Sequence, residues 1–272
     1  MDGGHEIKLV SGNGQVPVIF RKMHHTSVAL VTGANKGIGL QVAKDLAAHG
    51  MVVLVGSRDL ERGKIAAASI GVNAYALQLD VTDQESIAAA AVRIRHEFGR
   101  LDVLVNNAAI YHVGPVGTPW EEIIKSDRPS MVAIQDLRRV FETNVFGVVA
   151  VTQAMLPLLR EAPAARVVNV SSAMGSLTTN SDPNCPYRKI LGAAYGPSKS
   201  ALNAITLAFA TELESTSIKV NCVCPGFTAT DINDFQGPRN VEQAAREPVR
   251  LALLGAGGPT GTFSNVEGPL PW

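Results

Sequence analysis

The 272-residue sequence predicts an α/β fold in which one doubly wound parallel sheet of about seven strands is covered by helices on both faces. Short runs rich in valine, leucine and isoleucine alternate along the chain with longer segments of helical periodicity. These runs lack the polar alternation of a sheet with one wet face, which indicates strands buried on both faces. Because crossovers between parallel strands are right-handed, this alternation favours a sheet that is wound outward in two directions.

The strands and helices follow in order from residue 27. The predicted strands are Ser27–Val31, Val52–Gly56, Ala74–Leu79, Leu101–Val105, Arg166–Val170, Ile218–Val223 and Gly261–Ser264. The predicted helices are Gly37–His49, Leu60–Ser69, Asp83–Phe98, Val140–Leu159, Tyr195–Ser215 and Val241–Leu254. Gly50 marks one helix end, because glycine is common just beyond a helix, and Asp83 can cap another helix. Residues 27–272 are therefore expected to form a single Rossmann-type domain.

Residues 1–26 stand apart from this pattern. They are rich in glycine and polar residues, and Val16–Phe20 is their only apolar run. We expect a weakly ordered N-terminal extension without function. The alternatives are a short β-hairpin and a native start at Met23.

The composition narrows the classes of function. The formal net charge is zero, so no basic surface for nucleic acid or for an acidic membrane is expected. The most apolar helical stretch, residues 145–159, is shorter than the ~20 residues of a membrane span, and no secretory signal is recognisable. A soluble protein that acts on a small molecule is the expectation.

The cysteines indicate neither a disulfide framework nor a metal site. Cys185, Cys222 and Cys224 are few and odd in number, and no histidine cluster accompanies them. We interpret them as small core residues. The reducing cytoplasm is the expected compartment.

A glycine-rich loop joins the first strand to the first helix, and residues 32–39 read T-G-A-N-K-G-I-G. Glycines here allow a tight turn, and the free N–H groups of the helix N-terminus can bind a pyrophosphate. The alternative is a turn without a ligand, which the strand-to-helix position disfavours. The spacing G-x-x-x-G-x-G resembles the short-chain dehydrogenase/reductase family, whose loop holds the cofactor diphosphate. The residues implied are Gly33, Asn35, Lys36, Gly37, Ile38 and Gly39.

The end of the second strand distinguishes NAD from NADP. An acid there would accept a hydrogen bond from the ribose 2′-OH, but the strand ends in Ser57-Arg58. Arg58 offers a fork of donors that suits a phosphate, and Lys36 adds a second cation, so the pattern predicts NADPH/NADP. Asp59 is interpreted as a cap of the next helix that points away. The alternative is that both cations are solvated surface charges.

Three further motifs follow strand ends and resemble cofactor contacts of the same family: D-V after the third strand, N-N-A-A after the fourth and P-G after the sixth. The family's counterparts of the first and last contact the adenine and the nicotinamide. The residues implied are Asp80, Val81, Asn107, Ala108, Ala109, Pro225, Gly226 and Thr228, with Thr230 as the alternative to Thr228. Ala109 replaces the family's usual glycine, so its Cβ requires a negative φ or some strain.

Tyr195 and Lys199 are four residues apart at the start of a predicted helix, so they project from one face. A neighbouring ammonium is expected to lower the phenol pKa from about 10, which lets Tyr195 give a proton to a developing alkoxide. Such a pair by itself could be an ordinary surface pair. Ser172, at the end of the fifth strand, can steady the oxyanion, with Ser171 as the alternative. The resemblance implies that Asn144 holds a water that links to Lys199 in a proton relay.

The ordered motifs over residues 27–231 resemble most closely the NADPH-dependent carbonyl reductases of the family. The resemblance implies hydride transfer from NADPH to a substrate carbonyl, with Tyr195 as the general acid. One alternative is an alcohol dehydrogenase of the same family that works oxidatively. An alternative of another class is a non-catalytic NADPH-binding regulator.

Three loops are predicted to shape the substrate pocket: residues 110–130, 173–194 and 227–243. Their side chains favour an apolar or aromatic carbonyl substrate, although the same residues could be ordinary core. Those singled out are Tyr111, Trp120, Met174, Tyr187, Phe227 and Phe235. Ser172 and Tyr195 are 195 − 172 = 23 positions apart, without the long insertion of many such reductases. The oligomeric state, monomer or homo-oligomer, therefore stays open.

Overall fold

A computed structural model describes residues 26–115 and 117–272. The predicted N-terminal extension lies outside the described residues apart from Thr26. Nothing in the structure therefore bears on its alternatives.

The strands form one eight-stranded sheet. They are β1 (Val28–Val31), β2 (Val52–Ser57), β3 (Ala74–Gln78), β4 (Val103–Asn106), β5 (Arg166–Val170), β6 (Lys219–Val223), β7 (Phe263–Asn265) and β8 (Gly268–Pro269). Their order is β3-β2-β1-β4-β5-β6-β7-β8, and all neighbours are parallel except β7 and β8. The predicted doubly wound parallel sheet is confirmed. The eighth strand escaped prediction because two residues carry no periodic pattern.

Nine α-helices occur among the described residues. They are α1 (Gly37–Ala48), α2 (Leu60–Ile70), α3 (Gln84–Phe98), α4 (Trp120–Ser126), α5 (Ile134–Phe141), α6 (Gly147–Arg160), α7 (Leu177–Ser181), α8 (Tyr195–Glu212) and α9 (Val241–Ala252). A π-helical turn, Glu142–Phe146, joins α5 to α6, so the helix predicted from residue 140 begins at Ile134. The predicted cap is confirmed at Asp83, whose Oδ1 accepts from the Glu85 N–H at 3.0 Å.

The sheet is buried on both faces, as its apolar strands predicted. Alternate residues of β1 enter separate cores: Leu30 packs in the core beside α3 and α6, and Val31 packs in the core beside α1 and α9. The order reverses between β1 and β4. A ligand crevice is expected at such a switch point, beyond the carboxyl ends of the strands.

The continuous helix from Ile134 to Arg160 is 27 residues long and apolar enough to cross a membrane by length and composition alone. It is longer than the predicted helix, because the polar turns of α5 precede the apolar stretch. Half of its apolar window is buried inside the fold, as in the core helices of many proteins. The helix is therefore weak evidence for a membrane span.

Candidate active site

A cleft of about 1020 Å³ opens at the carboxyl ends of the central strands. It brings together residues that are far apart in the sequence. The predicted site residues that line it are Gly33, Asn35, Lys36, Gly37, Ile38, Gly39, Arg58, Asp80, Val81, Asn107, Ala108, Ala109, Ser172, Tyr195, Lys199, Pro225, Gly226 and Thr228. Asn144 is fully buried behind this lining.

The glycine loop between β1 and α1 is held in a shape that side chains would block. Gly33 and Gly37 have φ of +63° and +57°, a region that other residues rarely adopt. A Cβ on Gly39 would overlap the Asn107 amide. No described side chain caps the N-terminus of α1, so its first N–H groups are available to an anion. The loop therefore fits a dinucleotide diphosphate.

Asn107 acts on the glycine loop through its side chain. Its Nδ2 donates to the Thr32 carbonyl at 2.9 Å and to the Gly33 carbonyl at 3.3 Å. Its N–H, like that of Ala108, donates to Thr32 Oγ1. Asn107 therefore ties the end of β4 to the end of β1 across the switch point.

Three cations line the end of the cleft next to β2: Lys36, Arg58 and Arg62. Arg58 is exposed and forms no ion pair with any described residue. Lys36 is already paired with Asp231. Sequence reasoning missed Arg62, although its position one helical turn beyond Arg58 was a usable signal. Arg62 is paired with Asp59 at 3.4 Å, so Arg58 is the one of these three cations without an ion-pair partner among the described residues.

Asp59 and Ala109 belong to the predicted cofactor motifs, and the structure shows the conformation of each. Asp59 caps α2 as predicted, since its Oδ1 accepts from the Arg62 N–H at 3.1 Å. The prediction that it points away is wrong, because Asp59 lines the cleft beside Arg58. Among the described non-glycine residues only Asp234 and Phe235 have positive φ. Ala109 therefore has the negative φ that its Cβ requires, without backbone strain.

The remaining cofactor-motif residues are fixed by local contacts. Asp80 Oδ1 accepts from the Thr82 N–H at 2.9 Å and from the Thr82 hydroxyl at 2.7 Å. Thr228 is buried, and its hydroxyl donates to the Gly226 carbonyl at 3.1 Å. These contacts set the shape of the turns after β3 and β6 at the cleft.

Tyr195 and Lys199 lie in the first two turns of α8 and face the cleft together. The Lys199 Nζ is 5.6 Å from the centre of the Tyr195 ring and donates to the Val170 carbonyl at 2.8 Å. Burial lowers the pKa of Lys199 to about 8. Lys199 therefore holds its charge at neutral pH and loses it in mild alkali.

The prediction that neighbouring groups lower the pKa of Tyr195 is wrong, because the protein's own groups raise it. Burial raises the pKa of Tyr195, and Cys224 adds to the rise, while the hydrogen bond with Ser172 opposes it. A buried phenolate loses the solvation that stabilises its charge in water. Tyr195 is therefore kept in the protonated form, which is the form that a proton donor needs.

The hydrogen bonds at the end of β5 distinguish the two candidate serines, Ser171 and Ser172. Ser171 is buried, and its hydroxyl donates to Asn203 Oδ1 at 2.7 Å. The Ser172 hydroxyl is bonded to the Tyr195 phenol and accepts from the Met174 N–H at 3.2 Å. Gly175 allows this turn to pack on α8, because a Cβ there would lie 2.7 Å from the Lys199 backbone. Both serines line the cleft, but Ser172 is the one whose hydroxyl interacts with Tyr195.

Asn144 joins the loop after β4 to α8. Its Oδ1 accepts from the Ile110 N–H and its Nδ2 donates to the Ile110 carbonyl, both at 2.9 Å. The same Nδ2 donates to Ser198 Oγ at 3.1 Å. Both hydrogens of the Asn144 side-chain amide are therefore engaged in hydrogen bonds. A water at this position would have to donate to oxygen atoms, because the amide has no free hydrogen to give it. The water relay stays a prediction.

An aromatic surface borders the substrate end of the cleft. We call it the substrate wall, and its members are Tyr111, Trp120, Met174, Tyr187 and Ile190. The Tyr111 ring lies between two others, 4.6 Å from that of Tyr195 and 4.8 Å from that of Trp120. Phe227 also lines the cleft. The prediction for Phe235 is wrong, because its side chain is 68% exposed and lies outside the lining.

The cysteines are buried free thiols, as predicted. Cys224 lines the cleft and its Sγ accepts from the Ala173 N–H at 3.1 Å. Burial raises the pKa of Cys222 to about 11, so this thiol stays protonated. No group of three potential metal ligands occurs among the described histidines, cysteines and acids.

Comparison with known proteins gives a consistent result. The profile of the short chain dehydrogenases matches residues 27–240. The (−)-isopiperitenone reductase of Mentha piperita is 36% identical, over 86% of this chain and 95% of the relative. Carbonyl reductase (NADPH) 1 of Sus scrofa is 33% identical, over 91% and 95%.

Solved structures share the fold. The NADPH-bound carbonyl reductase from chicken fatty liver superposes with a TM-score of 0.75 at 26% identity, over 91% of this chain and 99% of that one. The salutaridine reductase of Papaver somniferum gives a TM-score of 0.74 at 31% identity, over 87% and 99%. The resemblance inferred from the motifs is confirmed.

Proposed function

Because the chain belongs to the short chain dehydrogenase family, whose members are oxidoreductases that act on carbonyl and hydroxyl groups, we propose that it is an NADPH-dependent carbonyl reductase. One observation carries the proposal. A partly buried, protonated phenol, a serine hydroxyl and a buried ammonium converge in a cleft whose other end has a glycine loop and an arginine without an ion-pair partner among the described residues. That arrangement joins a proton donor to a dinucleotide site.

The residues of the cofactor end fit NADPH. The glycine loop and the N-terminus of α1 would hold the diphosphate. Arg58 would bind the 2′-phosphate, with Arg62 nearby, because a guanidinium matches a phosphate in charge and geometry. When bound, NADPH supplies the hydride. The chicken carbonyl reductase of similar fold is bound to NADPH, and the pig relative is a carbonyl reductase (NADPH), which supports the same cofactor.

The substrate carbonyl would be oriented and protonated by the chain's own groups. The hydroxyls of Ser172 and Tyr195 both line the cleft within hydrogen-bonding reach of each other, so each can turn from its present partner to donate to one carbonyl oxygen. Tyr195 gives its proton to that oxygen as it gains negative charge. The Lys199 ammonium, charged below about pH 8, faces the phenol as the proton leaves. Asn144 holds the Ile110 loop against the same helix.

The substrate wall favours an apolar cyclic or aromatic ketone or aldehyde. Its aromatic rings offer flat apolar surface, and their polar atoms are few. Burial raises the pKa of Tyr111 to about 12, so this ring stays neutral. The three unpaired thiols favour the reducing cytoplasm as the compartment.

The decisive experiment is a screen for carbonyl-dependent NADPH oxidation by the purified protein, across aldehydes, aryl ketones, cyclic ketones and quinones. We expect turnover with apolar cyclic or aromatic carbonyl compounds and weak activity with NADH. Turnover only in the alcohol-oxidising direction would favour the alcohol dehydrogenase alternative. NADPH binding without turnover of any compound would favour the non-catalytic regulator.

A further inference from the structure

The residues directly before Tyr195 are held by Asp127, which follows α4 and is remote in the sequence. Asp127 Oδ1 accepts from the Ala194 N–H at 2.9 Å. Its backbone carbonyl accepts from the Ala193 N–H at 2.7 Å. One residue thus fixes two consecutive peptide groups next to the phenol-bearing residue.

The helix that carries Tyr195 has no cap of its own. Ala194 occupies the N-cap position, where its methyl group cannot accept a hydrogen bond. Asp127 does not replace that cap, because it accepts from the N–H of Ala194 itself, but it fixes the residue at which the helix begins from a different segment of the chain. The start of α8, where Tyr195 lies, therefore depends on Asp127 for its anchorage.

Gly192 is matched to this carboxylate. A Cβ at Gly192 would overlap the Asp127 carboxylate. Its φ is not in the left-handed region, so the backbone itself would tolerate alanine. The glycine is thus explained by the space that Asp127 occupies, whereas Gly255 has nothing within 4 Å of an added Cβ.

A second contact ties the same part of the molecule to the phenol. The Tyr111 ring packs on the Tyr195 ring at 4.6 Å and on Trp120 at 4.8 Å. Trp120 begins α4, and Asp127 directly follows its end. The helix that carries part of the substrate wall therefore also anchors Tyr195.

We propose that Asp127 and Gly192 form a positioning pair that fixes the Tyr195 phenol in the cleft relative to the substrate wall. The proposal rests on the proposed function for its kinetic effects. Neither residue lines the cleft, so both act through the backbone before Tyr195.

A charge on Asp127 has a cost in stability. Burial raises the pKa of Asp127, while the hydrogen bonds from Ala193 and Ala194 and the charge of His112 oppose the rise. A carboxyl with a raised folded-state pKa stabilises the fold when protonated, and this stabilisation is lost as pH rises through that pKa. Ionisation of Asp127 therefore works against folding, which fits a residue kept for positioning.

The first test compares Asp127→Ala, Gly192→Ala and Asp127→Asn. We expect the two alanine variants to lower kcat about 10- to 100-fold by displacing the phenol, with little change in the Kd of NADPH. Asp127→Asn should keep most of kcat, because its amide oxygen still accepts from the Ala194 N–H, and its Tm should equal or exceed that of the wild type. Loss of kcat in Asp127→Asn equal to that in Asp127→Ala would overturn the acceptor role.

Two matched controls isolate the pair. Asp182 also accepts a backbone N–H, that of Asn184 at 2.8 Å, but its side chain is exposed and lies outside the cleft lining. Asp182→Ala and Gly255→Ala should leave kcat unchanged. Equal losses in the controls and in the paired variants would show a general effect of the substitutions and would overturn the proposal.

The double variant Asp127→Ala with Gly192→Ala tests whether the two residues act through one contact. The alanine methyl group at 192 has no carboxylate to displace once Asp127 is absent. We therefore expect kcat of the double variant to be no lower than that of the worse single variant. Losses that multiply would contradict the pairing.

Amide hydrogen exchange separates this proposal from the proposed function. Without any substrate, Asp127→Ala should speed exchange of the Ala194 amide relative to the wild type. If the wild type reduces no carbonyl compound, the proposed function fails and the exchange result still decides the positioning. Unchanged exchange at Ala194 would overturn the positioning whatever the activity.

Discussion

The two ends of the cleft are built in different ways. The cofactor end consists of short connections, such as residues 32–36 between β1 and α1, whose backbone groups face the ligand. The substrate end is built from side chains on the long connections 171–194 and 224–240 and on the segment after β4. A short loop has few conformations and a local sequence signature, whereas side chains from remote segments meet only after folding. The cofactor end was therefore predictable in detail, and the substrate end only in composition.

The cations repeat this contrast on a smaller scale. Arg58 follows its strand directly and has no ion-pair partner among the described residues. Lys36 is equally local in the sequence, yet it is paired with Asp231 from the turn after β6. Sequence position predicted both cations, but only the folded arrangement showed that one is already partly neutralised.

The largest effect is expected at the substrate end. Tyr195→Phe removes the proton donor and should lower kcat by about 10²- to 10⁴-fold, while the Kd of NADPH, measured by fluorescence titration, stays unchanged. Tyr75→Phe is the matched control, since Tyr75 packs on Phe98 away from the cleft. Near-normal turnover by Tyr195→Phe would remove Tyr195 from the mechanism.

The next effect belongs to the cofactor end. Arg58→Ala should raise the Kd of NADPH about 10- to 100-fold, the range for loss of hydrogen bonds to a charged group. The Kd of NADH and the kcat at saturating NADPH should change little. Lys36→Ala should cost less, because Asp231 already offsets its charge. Equal losses for NADH and NADPH in Arg58→Ala would show that Arg58 does not bind the 2′-phosphate.

The pH dependence of the rate tests the role of the charge on Lys199. Above about pH 8 the buried ammonium loses its proton, so kcat/KM for reduction should fall about tenfold per pH unit. Because its folded-state pKa lies below the ordinary 10.5, the unfolded chain binds more protons between these values. The contribution of Lys199 to the free energy of unfolding therefore rises with pH. Its deprotonation does not destabilise the fold in the range where the rate falls.

The variant Lys199→Arg is the control for this profile. A guanidinium stays charged across the whole range, so its slower reaction should show no fall between pH 8 and 10. A wild-type profile that stays flat to pH 10 would separate catalysis from the charge of Lys199.

The smallest effect is expected in the substrate wall. Trp120→Ala removes one ring of the stack with Tyr111, which corresponds to about 0.5–1.5 kcal/mol of aromatic contact and a rise in KM of about 2- to 10-fold. The Kd of NADPH should not move. Trp272→Ala is the comparison, because Trp272 stacks on Phe263 outside the cleft. If the Kd of NADPH rose together with KM in Trp120→Ala, the division of the cleft into a cofactor end and a substrate end would be contradicted.

The predictions from the sequence that failed have physical causes. The short helices α4 and α7 have too few turns for a periodic pattern. Phe235 looked like a pocket residue, yet the turn after Thr230 directs it to solvent. The Tyr195 pKa was predicted to fall because the spacing revealed Lys199 but not the depth of burial.

The sequence by itself determined the parallel sheet, the glycine loop, the cap at Asp59 and the identity of the residues at the strand ends, because these follow from periodicity and from contacts within a few positions. Only the tertiary structure decided that Ser172 and not Ser171 meets Tyr195, that Lys36 is paired, and that Asp127 anchors the turn before Tyr195. Those outcomes depend on distances between segments far apart in the chain. Burial and hydrogen bonding across such distances arise only when the segments pack.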